Sequence, residues 1–358
     1  MIILGIESSC DETAAAVVRA GHQVLGSVVA SQVKLHAGYG GVIPELAARE
    51  HLRNITPVVA EALTQAGLGI DAVSAVAVTS LPGLIPALLV GNAYAKGLAV
   101  CRGVPLLGIN HFEAHIYGAF LEHPELLADS ANFPVLALVV SGGHTALVLI
   151  AADGRAEILG ATLDDAAGEA LDKAAKILGL GYPGGPVIDR IAKGGDPHAF
   201  DFPQGLRGSG GRPVPPGLRF SFSFSGVKTA LLYAVRGQQL GSQELADVVA
   251  SYQRAVMEVL VSKTMLAAQE TGARLLCLCG GVACNSYLRG RMREAAAGIG
   301  RQLLLAEPKY CGDNAAMVAG LGWHYARRGI TDGLSLPVAA RLPARLGSFP
   351  FAPAFAKE

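Results

Sequence analysis

Two histidines four residues apart, His111 and His115, are the pair in this sequence best suited to chemistry. Residues with this spacing lie on one face of an α-helix, so both imidazoles can bind a single metal ion. A metal site needs further ligands from elsewhere in the chain. The best candidate is Asp313, which lies far downstream in a turn-like segment before an apolar helix.

The glutamate between the two histidines argues against a metalloprotease motif. In H-E-x-x-H the glutamate directly follows the first histidine and acts on metal-bound water. Here Glu113 comes two residues after His111, so its side chain points roughly 200° around the helix from that of His111. We therefore rank a transferase above a protease. The alternative that the histidines are only buried hydrogen-bonding residues stays open.

The ligand types suit a divalent metal ion. A His/His/Asp set with open positions fits iron(II) or zinc, and the ligand types alone do not separate the two. Such an ion would polarise a carbonyl or phosphoryl oxygen of a bound ligand.

Length and composition favour a compact, cytoplasmic enzyme of two lobes. With 358 residues the chain exceeds the size at which one hydrophobic core keeps growing. Its formal net charge of zero provides no global field for nucleic acid, so any such contact must use local patches. The chain opens on an apolar strand and not on a signal peptide, its six cysteines are scattered, and no apolar run reaches the ~18 residues of a spanning helix.

The chain contains two similar strand–turn–strand segments, which are expected to position these side chains. Residues 2–18 and 135–150 both read as strand, polar turn, strand, which predicts a duplicated α/β architecture with a cleft between its halves. The first turn, residues 7–13, contains Ser9 and Cys10, which are candidate phosphate contacts. An ordinary polar hairpin is the alternative there.

Two Gly-Gly turns, at residues 142–143 and 280–281, are candidate phosphate and ribose sites. The second leads into a helix N-terminus, where backbone N–H groups favour anions. Neither matches a Walker A or a dinucleotide-binding fingerprint.

Several further elements are predicted from local pattern. We expect a helix over residues 164–178 with Asp164 and Asp165 at its start, where negative charge suits the dipole. Residues 181–186 predict a rigid irregular loop, and residues 220–229 alternate at a strand period. Residues 204–218 are expected to form an exposed insertion, and the residues from 334 onward a tail with little regular structure. His36 and His51 are expected at the surface or at helix caps.

Nine short motifs together resemble one known family. They lie in this order at residues 7–13, 31–36, 111–115, 141–145, 168–173, 182–186, 222–229, 280–285 and 313–314. The sequence resembles the universal tRNA N6-adenosine threonylcarbamoyltransferase family, bacterial TsaD, over about residues 2–325.

The resemblance implies a fold and an activity. The fold is α/β, a duplicated actin/Hsp70/sugar-kinase-like (ASKHA) two-lobed fold with mixed central sheets and an interlobe cleft. Residues 1–128, completed by about 314–333, would form the N-terminal lobe, residues 129–313 the C-terminal lobe and 334–358 a tail. The activity is transfer of threonylcarbamoyl from threonylcarbamoyl-AMP to N6 of adenosine 37 in tRNAs that read ANN codons. A metal-dependent endopeptidase and an ASKHA-type ATPase or kinase are the alternatives.

The resemblance also implies site residues. His111, His115 and Asp313 match the family's metal ligands, and one divalent ion per subunit is expected, Fe²⁺ in preference to Zn²⁺ or Mg²⁺. The substrate or nucleotide contacts are expected at Val139, Val140, Ser141, Gly142, Gly143, Asp172, Gly185, Asp189 and Asn285. Ala114 and Gly312 depart from the residues common in the family, but both lie beside ligands and are not ligands themselves.

Finally, the resemblance implies partners. These are tRNA, threonylcarbamoyl-AMP or ATP, ADP or AMP in the cleft, a paralogous TsaB-type subunit and a TsaE-type ATPase, with no membrane. The candidate tRNA contacts are Arg207, Arg212, Arg219 and Arg289, with Lys228, Arg291 and Arg293 in addition. For each of these the alternative is a solvated surface charge.

Overall fold

A computed structural model describes residues 1–206, 214–342 and 346–353. The chain divides into two compact units. The first unit comprises residues 1–130, 152–156 and 309–358, and the second comprises residues 131–151 and 157–308. All three predicted metal ligands therefore belong to the first unit.

Each unit is built on a five-stranded mixed sheet. The first sheet contains β1 (Ile2–Glu7), β2 (Glu12–Arg19), β3 (Gln23–Ser31), β4 (Ala75–Leu81) and β5 (Leu106–Asn110). Its order is β3-β2-β1-β4-β5, with β1, β2 and β3 antiparallel and β1, β4 and β5 parallel.

The second sheet repeats this design. It contains β6 (Val135–Val140), β7 (Thr145–Ile150), β8 (Ala156–Ala161), β9 (Leu275–Cys279) and β10 (Gln302–Leu305), in the order β10-β9-β6-β7-β8. In each sheet a central strand pairs antiparallel with the next strand and parallel with a later one. The strand order thus agrees with the duplication inferred from the two strand–turn–strand units.

Twelve α-helices accompany the sheets in the described part of the chain. They are α1 (Val33–Ala37), α2 (Pro44–Gln65), α3 (Ile85–Arg102), α4 (His111–Gly118), α5 (Glu125–Ala128), α6 (Ala167–Ile177), α7 (Gly184–Ala192), α8 (Ser225–Val235), α9 (Ser242–Thr271), α10 (Ser286–Gly298), α11 (Pro308–Cys311) and α12 (Ala315–Arg327). In the ranges that the structure describes, no helix has both the length and the apolar character needed to cross a membrane.

The close contact between α12 and β1 sets the position of Asp313. A Cβ added to Gly5 would lie 2.4 Å from the Ala315 carbonyl oxygen, so glycine on β1 lets the start of α12 approach the strand. Asn314 caps this helix, because its side chain accepts a hydrogen bond from the Met317 N–H at 3.1 Å. Asp313, one residue before the cap, is thereby held near the end of β1.

Three local predictions are wrong in informative ways. Helix α6 begins at Ala167, so Asp164 and Asp165 precede it and do not form its first turn. Asp164 instead accepts a hydrogen bond from the Phe224 N–H at 2.7 Å, and Asp165 pairs with Lys228 at 3.0 Å. Asp164 thus binds a neighbouring segment, and Asp165 connects that segment to α6, since it also pairs with Lys173 at 2.6 Å. The sequence pattern near residue 164 does not reveal the contacts with the neighbouring segment.

The other two wrong predictions concern glycine- and serine-rich stretches of the chain. Helix α7 begins at Gly184, inside the predicted irregular loop, and α8 begins at Ser225, inside the predicted strand. The only strand-like contact described for residues 220–229 is an isolated bridge between Thr162 and Phe222. The predicted core face is correct for Phe222 and Phe224, which are buried, whereas Phe220 is half-buried and Ser221 of the opposite face is buried as well.

Histidines 36 and 51 are also not at the surface or at caps. Both are fully buried. The His51 ring contacts Thr13 Oγ1 at 2.8 Å and the Cys10 carbonyl oxygen at 3.0 Å, so it supports the turn between β1 and β2.

We predict that Gly280→Ala lowers the free energy of unfolding by at least about 2 kcal/mol, because Gly280 has φ +92° and ψ 164°, a region that essentially only glycine adopts. An added Cβ would also lie 2.3 Å from the Val140 carbonyl oxygen. Urea unfolding measures this change. The control is Gly281→Ala, where an added Cβ has no neighbour within 4 Å. Equal effects of the two variants would contradict the prediction.

Candidate metal centre and nucleotide-binding residues

The first turn of α4 presents both histidines to one point. Asn110 ends β5 and caps α4, accepting a hydrogen bond from the Phe112 N–H at 2.9 Å. This cap starts the helix at His111, and one turn later follows His115. The two side chains are almost fully buried, and their ring centroids lie 4.5 Å apart.

Asp313 completes the predicted cluster. Its Oδ1 lies 3.4 Å from His111 Nε2 and 3.2 Å from His115 Nε2. One donor atom from each of the three residues falls within 4.8 Å of the other two. The structure therefore brings together the two histidines and the distant aspartate as the sequence predicted.

The environment of His115 fits a metal ligand. Among the residues that the structure describes, neither ring nitrogen of His115 has a hydrogen-bond partner, although the residue is only 1% exposed. The short approach of Nε2 to Asp313 is a contact by distance that lacks hydrogen-bond geometry. A buried polar atom without a partner costs free energy, and coordination of an ion would remove that cost for one nitrogen.

The protonation of His115 also fits. Burial, together with the neighbouring His111, lowers the pKa of His115. The neutral imidazole is the form that binds metals.

Glu7, at the end of β1, is a site residue that the sequence interpretation missed. It is fully buried, and its Oε2 lies 3.0 Å from His111 Nδ1. Because a carboxylate only accepts hydrogen bonds, the proton of a neutral His111 ring lies on Nδ1, and Nε2 is left to face Asp313. Such a carboxylate–histidine pair orients metal ligands. The available signal was an acidic residue directly after a buried strand.

The buried charges compensate one another only in part. Burial disfavours the charged form of His111, yet the carboxylates of Asp313 and Glu7 raise its pKa well above the ordinary value. Burial also disfavours the charged form of Asp313 and by itself would raise its pKa, but His111 and His115 hold that pKa well below its usual range. The charged His111 is thus held between two ionised carboxylates while His115 stays neutral, so the set keeps an excess negative charge that a cation would offset.

Glu113 lies away from this set, as the helical spacing predicted. Its carboxylate accepts hydrogen bonds from Tyr325 Oη at 3.2 Å and from Asn110 Nδ2 at 3.4 Å. Burial raises the pKa of Glu113 to about 7. Because it is held by these two donors on the face of α4 away from His111 and His115, Glu113 does not reproduce the general base of a metalloprotease.

Ser9 and Cys10, the candidate phosphate contacts, lie beside the centre. Ser9 Oγ is 3.3 Å from His111 Nδ1. Burial, with Asp11 and Asp313 nearby, raises the pKa of the Cys10 thiol. Carboxylates that disfavour a thiolate also disfavour a phosphate, so an anion here would need the charge of a bound ion.

In the second unit, the two Gly-Gly turns follow neighbouring parallel strands. Val139 on β6 pairs with Cys279 on β9, so both turns leave the same edge of the sheet. Gly168, at the start of α6, lies close against the first turn, since an added Cβ would be 2.6 Å from the Ser141 carbonyl oxygen. Carboxyl ends of parallel strands near helix N-termini are common ligand sites in α/β sheets. Val139, Val140, Ser141, Gly142 and Gly143 all belong to this edge.

The remaining predicted nucleotide residues connect the helices of this unit. Asp172 on α6 accepts a hydrogen bond from the Gly184 N–H at 2.7 Å, one residue before Gly185. Asp189 on α7 accepts one from the Ser286 N–H at 3.1 Å, at the start of α10. Asn285 caps α10 through the Leu288 N–H at 2.9 Å. These three polar side chains therefore have structural partners of their own.

The candidate tRNA contacts receive little support from their surroundings. Arg207 and Arg212 lie outside the described residues. Arg219 pairs with Glu270, and Arg289 donates to two backbone carbonyl oxygens at 3.2 and 3.0 Å. Of the additional candidates, Lys228 pairs with Asp165 and Arg291 with Glu258, whereas Arg293 is exposed.

Comparison with known proteins decides the family. The model of the tRNA N6-adenosine threonylcarbamoyltransferase family, TsaD, matches residues 23–320. A relative of that name from Geobacter sulfurreducens is 52% identical, with 97% of this chain and 98% of the relative covered. One from Symbiobacterium thermophilum is 50% identical, with 97% and 98% covered. This chain belongs to the tRNA N6-adenosine threonylcarbamoyltransferase family.

Solved structures agree on the fold. HypF from T. kodakarensis matches with a TM-score of 0.57 at 16% identity, over 91% of this chain and 48% of that protein. The activator of 2-hydroxyisocaproyl-CoA dehydratase from Clostridium difficile, with bound ADPNP, matches with a TM-score of 0.52 at 14% identity, over 92% and 97%. The predicted ASKHA fold, the family and the enzyme class, an acyltransferase, are confirmed.

We predict that His111→Ala, His115→Ala and Asp313→Ala each reduce bound metal to a small fraction of the wild-type content, because each removes one donor of a three-residue set. Elemental analysis after loading with Fe²⁺ or Zn²⁺ measures the content. His123→Ala, at an exposed histidine beside Glu125, is the matched control. Full metal content in all three variants would exclude the site.

We further predict that Glu7→Gln retains metal but binds it about 10- to 100-fold more weakly, the range observed when a partner behind a ligand is replaced. Glutamine keeps an oxygen near His111 Nδ1 and loses the negative charge. Competition with a chelator measures the affinity, with the exposed Glu125→Gln as control. An unchanged affinity would show that Glu7 does not support His111.

Proposed function

We propose that this chain transfers the threonylcarbamoyl group of threonylcarbamoyl-AMP to N6 of adenosine 37 in tRNAs that read ANN codons, forming t6A37 and releasing AMP. The observation that carries the proposal is the near-complete match to relatives named tRNA N6-adenosine threonylcarbamoyltransferase, at 52% and 50% identity. The His111, His115 and Asp313 cluster in the same chain adds support.

The reaction requires alignment more than activation. The N6 nitrogen forms a bond to the carbamoyl carbon and gives up one proton, while the bond from that carbon to the phosphate oxygen breaks and its electron pair leaves with AMP. An exocyclic adenine amine is a poor nucleophile, but the mixed anhydride is already activated. Orientation of the reactants and stabilisation of charge then supply most of the acceleration.

The first unit would contribute a metal centre. His111, His115 and Asp313 would hold one divalent ion, with Fe²⁺ preferred and Zn²⁺ or Mg²⁺ as alternatives. When bound, the ion supplies Lewis-acid polarisation of a carbonyl or phosphoryl oxygen. Glu7 would keep His111 oriented, since its carboxylate lies 3.0 Å from Nδ1 of that ring.

The second unit would bind the nucleotide. The exposed glycines Gly142 and Gly143 leave space above the turn, because an added Cβ at either position meets no atom within 4 Å. The N-termini of α6, α7 and α10 provide fields that favour phosphate. We assign Asp172, Gly185, Asp189 and Asn285 to contacts with the rest of the adenylate.

The family resemblance supports the proposed partners. These are tRNA, a paralogous TsaB-type subunit, a TsaE-type ATPase and a separate synthase that supplies the adenylate, all in the cytoplasm. Because Arg219 and Arg289 have internal partners, we propose Arg207, Arg212 and Arg293 as the first positions to test for tRNA contact.

The decisive experiment incubates the protein and its partners with threonylcarbamoyl-AMP and an ANN-decoding tRNA. Digestion and nucleoside analysis by mass spectrometry should show t6A with wild type and with His123→Ala, and none above background with Asp313→Ala. Absence of t6A with wild type, together with metal-dependent peptide cleavage, would instead favour the endopeptidase alternative.

We predict that Gly143→Val weakens AMP or ATP binding at least tenfold while the free energy of unfolding changes by less than about 1 kcal/mol. The added side chain would occupy open space that we assign to the ligand. Isothermal titration calorimetry and urea unfolding measure the two quantities. Unchanged nucleotide affinity would move the nucleotide site away from this turn.

A further inference from the structure

The carboxylate of Glu7 is held at both of its oxygen atoms. Its Oε1 accepts a hydrogen bond from the Ser9 N–H at 2.5 Å, and its Oε2 lies 3.0 Å from His111 Nδ1. Ser9 Oγ is farther from that nitrogen, at 3.3 Å. A further donor comes from β4, where the Thr79 hydroxyl donates a hydrogen bond to Oε2. Thr79 and His111 therefore share one oxygen atom of Glu7.

The direction of the hydrogen bond from Thr79 follows from the chemistry of its partner. An ionised carboxylate has no proton to donate, so the Thr79 hydroxyl is the donor. A hydrogen bond to an ionised acceptor is roughly twice as strong as one between neutral groups. Thr79 thus restricts the movement of Oε2 relative to the His111 ring.

Thr79 is itself fixed at the end of the first sheet. It is fully buried, and its carbonyl oxygen accepts a hydrogen bond from Asn92 Nδ2 of α3 at 2.8 Å. The pairing of β4 with β5 becomes irregular directly after it, between Thr79 and Leu81. Such irregularities redirect side chains and are frequent next to active sites. Asn92 therefore supports the backbone at the point from which the Thr79 hydroxyl reaches Glu7.

A hydroxyl group at this position has a cost that the preceding residues of β4 do not carry. Residues 75–78 are alanine and valine, and all four are buried. Burying a hydroxyl is unfavourable unless it forms a hydrogen bond, and a valine would fill nearly the same space without that requirement. The hydroxyl thus indicates a polar role, and the structure gives it Glu7 as a partner.

We propose that Thr79 is a positioning residue of the metal centre, which fixes the Glu7 carboxylate and through it the imidazole of His111. The part concerning the metal rests on the proposed metal centre. Thr79 supplies no ligand atom in this assignment and acts through Glu7.

Two pairs of proteins differ in this hydroxyl group. Wild type and Thr79→Val share the branched shape of the side chain, and Thr79→Ser and Thr79→Ala share the absence of the methyl group. Within each pair, we expect loss of the hydroxyl to weaken metal binding about three- to tenfold, less than the 10- to 100-fold range for a partner that contacts a ligand directly. Competition with a chelator measures the affinity. Equal affinities within either pair would contradict the proposal.

A role for Thr79 in packing alone predicts a different order of the variants. Thr79→Ser removes a buried methyl group, so it should then be more harmful than Thr79→Val, which fills the same space. Urea unfolding of the metal-free variants measures the effect on stability separately. Metal affinities that follow the free energy of unfolding and not the presence of the hydroxyl would show that Thr79 only fills space. The Thr79→Ser and Thr79→Ala pair decides the question even if Thr79→Val does not fold.

Solvent exchange of the His111 Nδ1 proton, followed by nuclear magnetic resonance in metal-free protein, does not depend on the ion. This proton lies between Nδ1 and the oxygen atom of Glu7 to which Thr79 donates. It should exchange faster in Thr79→Val than in wild type, and faster in Thr79→Ala than in Thr79→Ser. If this order appears in a protein that binds no metal, Thr79 positions Glu7 and the metal centre fails. If the exchange rate is the same with and without the hydroxyl, the proposal is wrong.

Discussion

Charge compensation among buried groups is the constraint on which the first unit depends. Glu7, His111 and His115 are almost fully removed from water, and Asp313 is largely so. A buried charge without a partner is strongly destabilising, so the carboxylates and imidazoles must meet. For this to happen, three parts of the chain must lie close together: the end of β1, the start of α4 and the residue before the α12 cap. Helix α12 can approach β1 because Gly5 has no side chain. A divalent ion would bind to histidine and aspartate side chains that the fold already holds close together.

In the second unit, the candidate nucleotide site depends mainly on closely packed backbone segments and less on charged side chains. Its candidate nucleotide residues surround two strand ends where glycine lets chain segments approach closely. Gly168 lies against the Ser141 turn, Gly184 against α6, and Gly280 against the end of β6. Polar side chains such as Asp189 and Asn285 then fix the helix N-termini. The sequence of this unit is therefore constrained by the need for glycine at close backbone contacts as much as by the need for polar side chains.

Much of this could be predicted from sequence, for identifiable reasons. The strand–turn–strand repeats, the His-x-x-x-His spacing and the orientation of Glu113 follow from local periodicity, and the structure agrees with each. The link from His111 to Asp313 could be predicted because Asp313 lies in a turn-like segment directly before an apolar helix. The family resemblance then joined these separate signals and is confirmed by the comparisons.

The failures arose where a distant segment decides the local structure. Glu7 was grouped with a polar turn because nothing near it in sequence indicates that His111 is its partner. Asp164 was placed at a helix start, although its hydrogen bond to Phe224 lies 60 residues away. The alternating residues 220–229 have the period of a strand, but α8 begins within them at Ser225.

The central claim is that His111, His115 and Asp313 together hold a divalent ion. Anomalous X-ray diffraction from crystals of the metal-loaded protein, recorded on both sides of the metal absorption edge, tests it most directly. The account predicts one anomalous peak in the first unit, bonded to an imidazole nitrogen of each histidine and to a carboxylate oxygen of Asp313. A fully loaded crystal whose anomalous peak lies elsewhere, with His115 uncoordinated, would contradict it.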